Sequence, residues 1–153
     1  MPRRPVTISH TARVAASPHA AYALVADARR RPQWLRELTS TEAPIGLLEE
    51  GDRFHAETSL WLHVFAGASE VVRAQPDELL VEDVVVGAHF TSTWEFRHDE
   101  ASNETTVAHV IALDFPTGPL GWLERWVLRR RLAAMQRAGL RALADTFTRA
   151  QPE

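Results

Sequence analysis

Apolar positions repeat every second residue over most of this chain and every third or fourth residue near its C-terminal end, so the pattern alone divides it into a β-rich body and a terminal helix. Between Asp52 and His63, Phe54, Ala56, Thr58, Leu60 and Leu62 fall on one side, while Arg53, His55, Glu57, Ser59 and His63 fall on the other. This is a strand with one wet face, and its inner set is even-numbered. Phe90, Ser92, Trp94 and Phe96 alternate in the same way against His89, Thr91, Thr93 and Glu95. In the first strand, Val6 to Ala16, the apolar side is Ile8, His10, Ala12 and Val14. Residues 79–86 and 105–114 carry apolar side chains in both parities, and either face can be the inner one. Turn residues at Glu49-Glu50-Gly51, Gln75-Pro76-Asp77, Gly87 and Asp99–Asn103 cut out strands near 39–47, 52–63, 64–74, 79–86, 88–97 and 105–114.

The helical signals lie elsewhere. Ser17-Pro18 offers an N-cap followed by a proline in the first turn, which predicts a short helix over His19–Ala28. Pro32 predicts the start of a second short helix, Gln33–Leu38, carrying Trp34. Leu120–Arg149 has no internal proline and is rich in Ala, Leu, Arg and Gln, which predicts one helix roughly 45 Å long. Its apolar stripe is Leu128, Leu132, Met135, Gly139, Ala142, Leu143 and Thr146. Six consecutive strands joined by short turns make an antiparallel meander, the first strand brings the sheet to seven, and the stripe of the long helix is the cover its dry face needs.

Composition narrows the functional classes. At 153 residues the chain is expected to be a single domain, 1–153, large enough to bury a core without staples. It has no cysteine, which excludes disulfides, thiolate metal sites and cysteine nucleophiles. The N-terminus lacks the apolar core of a secretion signal and no apolar run reaches bilayer length, so a cytoplasmic protein without membrane insertion is expected. A net charge of −3 argues against a nucleic-acid partner. All seventeen basic residues are arginine, which reads as codon bias in a GC-rich genome, and the runs Arg29–Arg31 and Arg129–Arg131 read as solvated helix faces.

The order of elements can be set beside local signatures: Ala16-Ser17-Pro18 leading into Ala21-Tyr22-Ala23-Leu24-Val25-Ala26-Asp27, then Pro32-Gln33-Trp34, Gly51-Asp52-Arg53-Phe54, Val71–Leu79, Trp94-Glu95-Phe96, Glu104–Val107 and Pro119-Leu120-Gly121. With these the chain resembles the START-like (SRPBCC) superfamily, in its polyketide cyclase/dehydrase branch, along nearly its whole length. The resemblance implies an α+β helix-grip fold. A curved seven-stranded antiparallel sheet would wrap the long C-terminal helix, with two short helices between strands 1 and 2. A hollow between sheet and helix is consistent with the small residues Ala133, Ala134, Ala138, Gly139 and Ala142 on that helix. Its natural occupant is a small apolar or aromatic ligand.

No catalytic motif appears: there is no GxSxG, HExxH, phosphate-cradling glycine loop or H-x-H pair. His55 and Glu57 share a strand face, but it is the outer one, so no metal site and no cofactor are expected. His10 and Asp83 are the candidate catalytic residues, since each stands among apolar alternates and a titratable group in an apolar wall is suited to acid–base work. A hydrogen-bonded structural role for His10 and a solvent-facing Asp83 stand beside that reading. Trp34, Phe54, Thr58, Ser92, Trp94 and Met135 are the candidate ligand-binding residues, with core packing the alternative for the large ones. Trp34 could gate the cavity or seal it. Trp122 and Trp126, with Trp61, would make an apolar patch for a homodimer or a membrane-proximal surface if exposed; one of the helix pair is expected to be buried. The resemblance suggests a polyketide cyclase/aromatase-like protein that folds a flexible poly-β-ketone for intramolecular aldol chemistry by positioning it. A non-catalytic lipid, quinone or metabolite carrier is the first alternative, and a co-chaperone-type interaction module the second.

Overall fold

The computed structural model describes residues 5–60, 63–86, 88–114 and 121–149. The chain runs as β1 (Val6–Val14), α1 (Pro18–Ala26), a 3-10 helix (Ala28–Gln33), β2 (Leu38–Glu42), β3 (Arg53–Leu60), β4 (His63–Gln75), β5 (Leu79–Val86), β6 (Ala88–Asp99), β7 (Glu104–Leu113) and α2 (Gly121–Arg149). The strands form one antiparallel sheet in the order β1-β7-β6-β5-β4-β3-β2, so consecutive strands are neighbours except that β1 closes onto β7. This is the helix-grip architecture that the sequence pattern and the resemblance imply.

Local chemistry sets the element ends. Ser17 Oγ accepts from Ala20 N at 3.1 Å and Pro18 occupies the first turn of α1, where a missing N–H is harmless. The second short helix lies five residues earlier than expected, at Ala28–Gln33, with Pro32 inside it. Its i to i+3 bonds, Arg30 N to Asp27 O and Trp34 N to Arg31 O, both 3.1 Å, close it as a 3-10 turn before Trp34. β2 also ends sooner than the expected 39–47, because Pro44 and then Gly46, at φ +95°, carry the chain off the sheet. Leu48 then tucks into the core with its N–H on Ala26 O at 2.9 Å.

Two irregularities bend the sheet. Register shifts between Val71 and Arg73 on β4, and between Leu38 and Ser40 on β2, leave extra residues that increase local twist and curl the strands. The structure also settles the two ambiguous strands. Leu80, Glu82 and Val84 of β5 face inward, as do Thr105, Val107, His109, Ile111 and Leu113 of β7.

The core fills one end of the grip. There Val14, Tyr22, Val25, Leu80, Phe96, Val107, Leu140 and Leu143 pack together, with Tyr22 edge-on to Phe96 at 5.4 Å between ring centroids. α2 packs most closely on β1 and reaches β7, while β3–β6 curve away from it toward the other end. The gap between them is the cavity. The small residues of α2 contribute less to it than expected: Ala134 and Ala138 point to solvent, and of the five only Gly139 lines the space.

Candidate functional site

The cavity encloses about 200 Å³ between the inner face of β3–β7 and the Leu132–Gly139 segment of α2. Most of its wall is carbon. Phe54 and Ala56 of β3, Val84 and Val86 of β5, Phe90 and Trp94 of β6, Ile111 of β7, and Leu132 and Met135 of α2 supply it, and Leu35 closes it on the helix side. A Cβ placed on Gly139 would lie 2.7 Å from Leu35 Cδ2, so only a glycine allows this close approach.

Against this apolar lining stand four buried polar side chains: Arg31, Glu82, His109 and Gln136. Arg31 leaves the 3-10 helix and forms a two-pronged ion pair with Glu82, through Nη1 to Oε2 at 3.0 Å and Nη2 to Oε1. Its Nε donates to Val25 O at 2.9 Å and its guanidinium lies 5.3 Å from the centre of the Phe54 ring. These bonds leave one N–H on each terminal nitrogen of Arg31. Gln136 ties helix to sheet: its Nε2 donates to His109 O at 2.8 Å and Ile8 O at 3.2 Å, and its Oε1 accepts from His10 Nδ1.

His109 is the most perturbed group. Its ring stacks on Trp94 with centroids 3.8 Å apart and planes 8° from parallel, and its Nε2 is hydrogen-bonded to Ser92 Oγ at 2.8 Å. Burial in this wall, helped by the positive charge of Arg31 and then by His10, pushes its pKa down to about 3, so the imidazole is neutral at physiological pH. Among the described residues its Nδ1 has no hydrogen-bond partner. If the Ser92 hydroxyl donates to Nε2, Nδ1 carries the proton and can donate to a ligand carbonyl. In the other tautomer Nδ1 accepts from a ligand hydroxyl.

The structure sorts the sequence-derived candidates. Phe54, Thr58, Trp94 and Met135 all line the cavity. Ser92 is buried behind His109, and its hydroxyl reaches the cavity only through that ring. Trp34 is buried, stands edge-on to Trp94 at 5.9 Å and 81°, and lies behind the main cavity wall. On its other side it lines a second pocket with Glu37, Gly139 and Asp145. His10 does turn inward, but it is held on Gln136 and does not line the cavity. Asp83 is a correction: the inward parity of β5 belongs to Glu82, so Asp83 faces outward, takes a hydrogen bond from Thr91 Oγ1 at 3.2 Å and lies 3.9 Å from His89. Arg31 is another, since one member of a run read as solvated is 5% exposed and paired, while Arg29 and Arg30 remain in water. Trp122 and Trp126 are both exposed, at 72% and 54%, where one was expected to be buried. Trp61 lies outside the described residues. His55 and Glu57 do face outward, and among the described residues no three His, Asp or Glu side chains cluster to hold a metal ion.

Comparison with known proteins fits this geometry. A family model described as polyketide cyclase / dehydrase and lipid transport matches residues 5–148. The chain belongs to that family. Its fold is shared with solved structures at low identity. The Zhui aromatase/cyclase from Streptomyces sp. R1128 aligns over 95% of this chain and 94% of its own, at 15% identity and a TM-score of 0.77. TTHA0849 from Thermus thermophilus aligns over 96% and 100%, at 14% identity and 0.76. A START superfamily protein from Mycobacterium smegmatis aligns over 95% and 99%, at 12% identity and 0.75. No curated protein sequence matches the chain. No helix among the described residues is long and apolar enough to cross a membrane.

Proposed function

We propose that this member of the family binds a compact aromatic or polyketide-like molecule bearing carbonyl or hydroxyl groups, and promotes its cyclisation by holding it folded. The observation that carries this reading is the presence of four buried polar side chains, Arg31, Glu82, His109 and Gln136, in a cavity whose lining is mostly apolar. A carrier for undifferentiated lipid gains nothing from buried polar groups, each of which costs free energy unless it is satisfied. Here the groups satisfy one another in part and keep spare valences for a ligand: the outer N–H groups of Arg31 and Nδ1 of His109.

The roles follow from the chemistry. A histidine with a pKa near 3 is a feeble proton acceptor, so His109 serves as a neutral hydrogen-bond partner. With Ser92 behind it, the ring can match either the keto or the enol form of a ligand oxygen. Arg31, clamped by Glu82, presents positive charge where an enolate oxygen would develop, and it is already oriented before reaction. The carbon wall of Phe54, Trp94, Ile111 and Met135 keeps a flexible chain compact, and proximity alone can lower the barrier to intramolecular aldol closure. A volume of about 200 Å³ lies below the roughly 300–1,000 Å³ of drug-sized sites, which suits one or two rings over a long acyl chain.

The test is cyclisation of a short linear poly-β-ketone thioester with and without the protein. The expected result is enrichment of one aromatic product, lost in His109→Ala and in Arg31→Met. An identical product distribution with and without protein would overturn the cyclase reading. Tight retention of the thioester without turnover would favour a carrier.

A further inference from the structure

The cavity does not account for the opening half of α2. There Trp122, Leu123 and Trp126 are 72%, 42% and 54% exposed. With Arg129, Arg130 and Arg137 they follow one another at three-, four- and seven-residue steps along the outward side of the helix. Arg130 lies 4.9 Å from the centre of the Trp126 ring, so cation and aromatic ring form one composite surface. Charge separates this helix from the rest of the protein. α2 carries seven arginines against Glu124 and Asp145, a net +5 in a chain whose total is −3.

We infer that this face of α2 docks the protein on an anionic lipid surface. Two large aromatic residues and a leucine at one end of a helix, followed by a row of arginines, match the interfacial region of a bilayer. The indole rings sit at headgroup level, and the guanidinium groups reach the phosphates beside them. The excess negative charge elsewhere is screened where it lies more than about 8–10 Å from the helix at ordinary salt. A second copy of the chain fits less well, because two such helices would bring +5 against +5.

Flotation of the full chain with vesicles of phosphatidylcholine plus phosphatidylglycerol, and with phosphatidylcholine alone, tests this. The expected result is binding to the anionic vesicles only, reversed by added salt. It should weaken on the order of tenfold in both Trp122→Ser/Trp126→Ser and Arg129→Glu/Arg130→Glu. All four side chains are exposed, so both double variants should keep the wild-type thermal midpoint, and a variant that does not is replaced by the single changes. No flotation with anionic vesicles overturns the inference, as does equal flotation of the tryptophan variant. Concentration-dependent dimerisation that the same variants abolish, without vesicle binding, would assign the face to a second copy and also overturn it.

Discussion

Glu82 and Asp83 are adjacent carboxylates on one strand, and Arg30 and Arg31 adjacent guanidiniums in one short helix, yet each pair is split between two environments. Glu82 and Arg31 are 2% and 5% exposed and bound to each other in the cavity wall. Asp83 and Arg30 stand on the outside, Asp83 sharing its charge with Thr91 and, more distantly, His89. Residue type explains none of this. Strand parity turns Glu82 inward, and an inward carboxylate is tolerable only where a cation meets it. The inner pair thus fixes geometry at the site, while the outer residues stand in water.

The largest expected effect comes from breaking the inner pair. Glu82→Ala leaves Arg31 buried without its partner and should cost about 3–5 kcal/mol in urea unfolding, whereas Asp83→Ala should stay within about 0.5 kcal/mol. The double replacement Arg31→Met/Glu82→Leu sharpens the contrast. It should recover most of the lost stability and still weaken ligand binding, separating what the pair does for the fold from what it does for the site. Equal costs for Glu82→Ala and Asp83→Ala would remove the distinction between the two faces.

Next in size is the response to acid. His109 has a pKa of about 3 when folded, against 6.5 for an ordinary histidine, so between those values the unfolded chain takes up a proton that the folded chain refuses. Stability from this group is therefore intact above pH 6.5 and declines as pH falls toward 3, by up to about 1.4 kcal/mol per pH unit. His109→Phe should flatten that part of the profile, measured as the difference between variant and wild-type urea midpoints at pH 7 and pH 5. A His109 ring that titrates near 6.5 by NMR would contradict the burial assigned to it.

The smallest expected effect is at Gly139. Alanine there gains up to about 1 kcal/mol in helix propensity but meets Leu35 Cδ2 at 2.7 Å. The contact is with the flexible end of a side chain, so net stability should change by less than about 1 kcal/mol while Leu35 is pushed into the cavity. Ligand affinity should fall more than stability does, which calorimetry and thermal unfolding of the same sample would show.

The fold was legible because its signals are local. The even-numbered set of β3, the Ser17-Pro18 cap and the proline-free terminal helix each declare themselves within a dozen residues. The cavity wall was legible wherever an apolar residue alternated cleanly, as at Phe54, Trp94 and Met135. The polar wall was not. β5 reads Leu-Leu-Val-Glu-Asp-Val-Val-Val, with apolar residues in both parities, and β7 has the same ambiguity around His109. Glu82 is tolerated on the inner face because Arg31, 51 positions earlier, meets it there, and no local rule links those two residues. The same holds for Gln136, a polar residue inside an otherwise apolar stripe whose partners lie on β1 and β7. Suspicion of an inward charge on β5 falls on Asp83 from the sequence, one position from the carboxylate that does face inward, because apolar neighbours in both parities do not fix the face.

The account rests on the polar wall acting as a recognition surface for a small guest. Titration of 2-naphthol, a hydroxyl-bearing two-ring probe, into the wild-type protein and into His109→Phe tests that most directly. The account predicts saturable binding to the wild type, quenching of tryptophan fluorescence as the probe meets Trp94, and affinity about tenfold lower in the variant, or roughly 1.4 kcal/mol. Binding of equal strength in both proteins, or none in either, would contradict it.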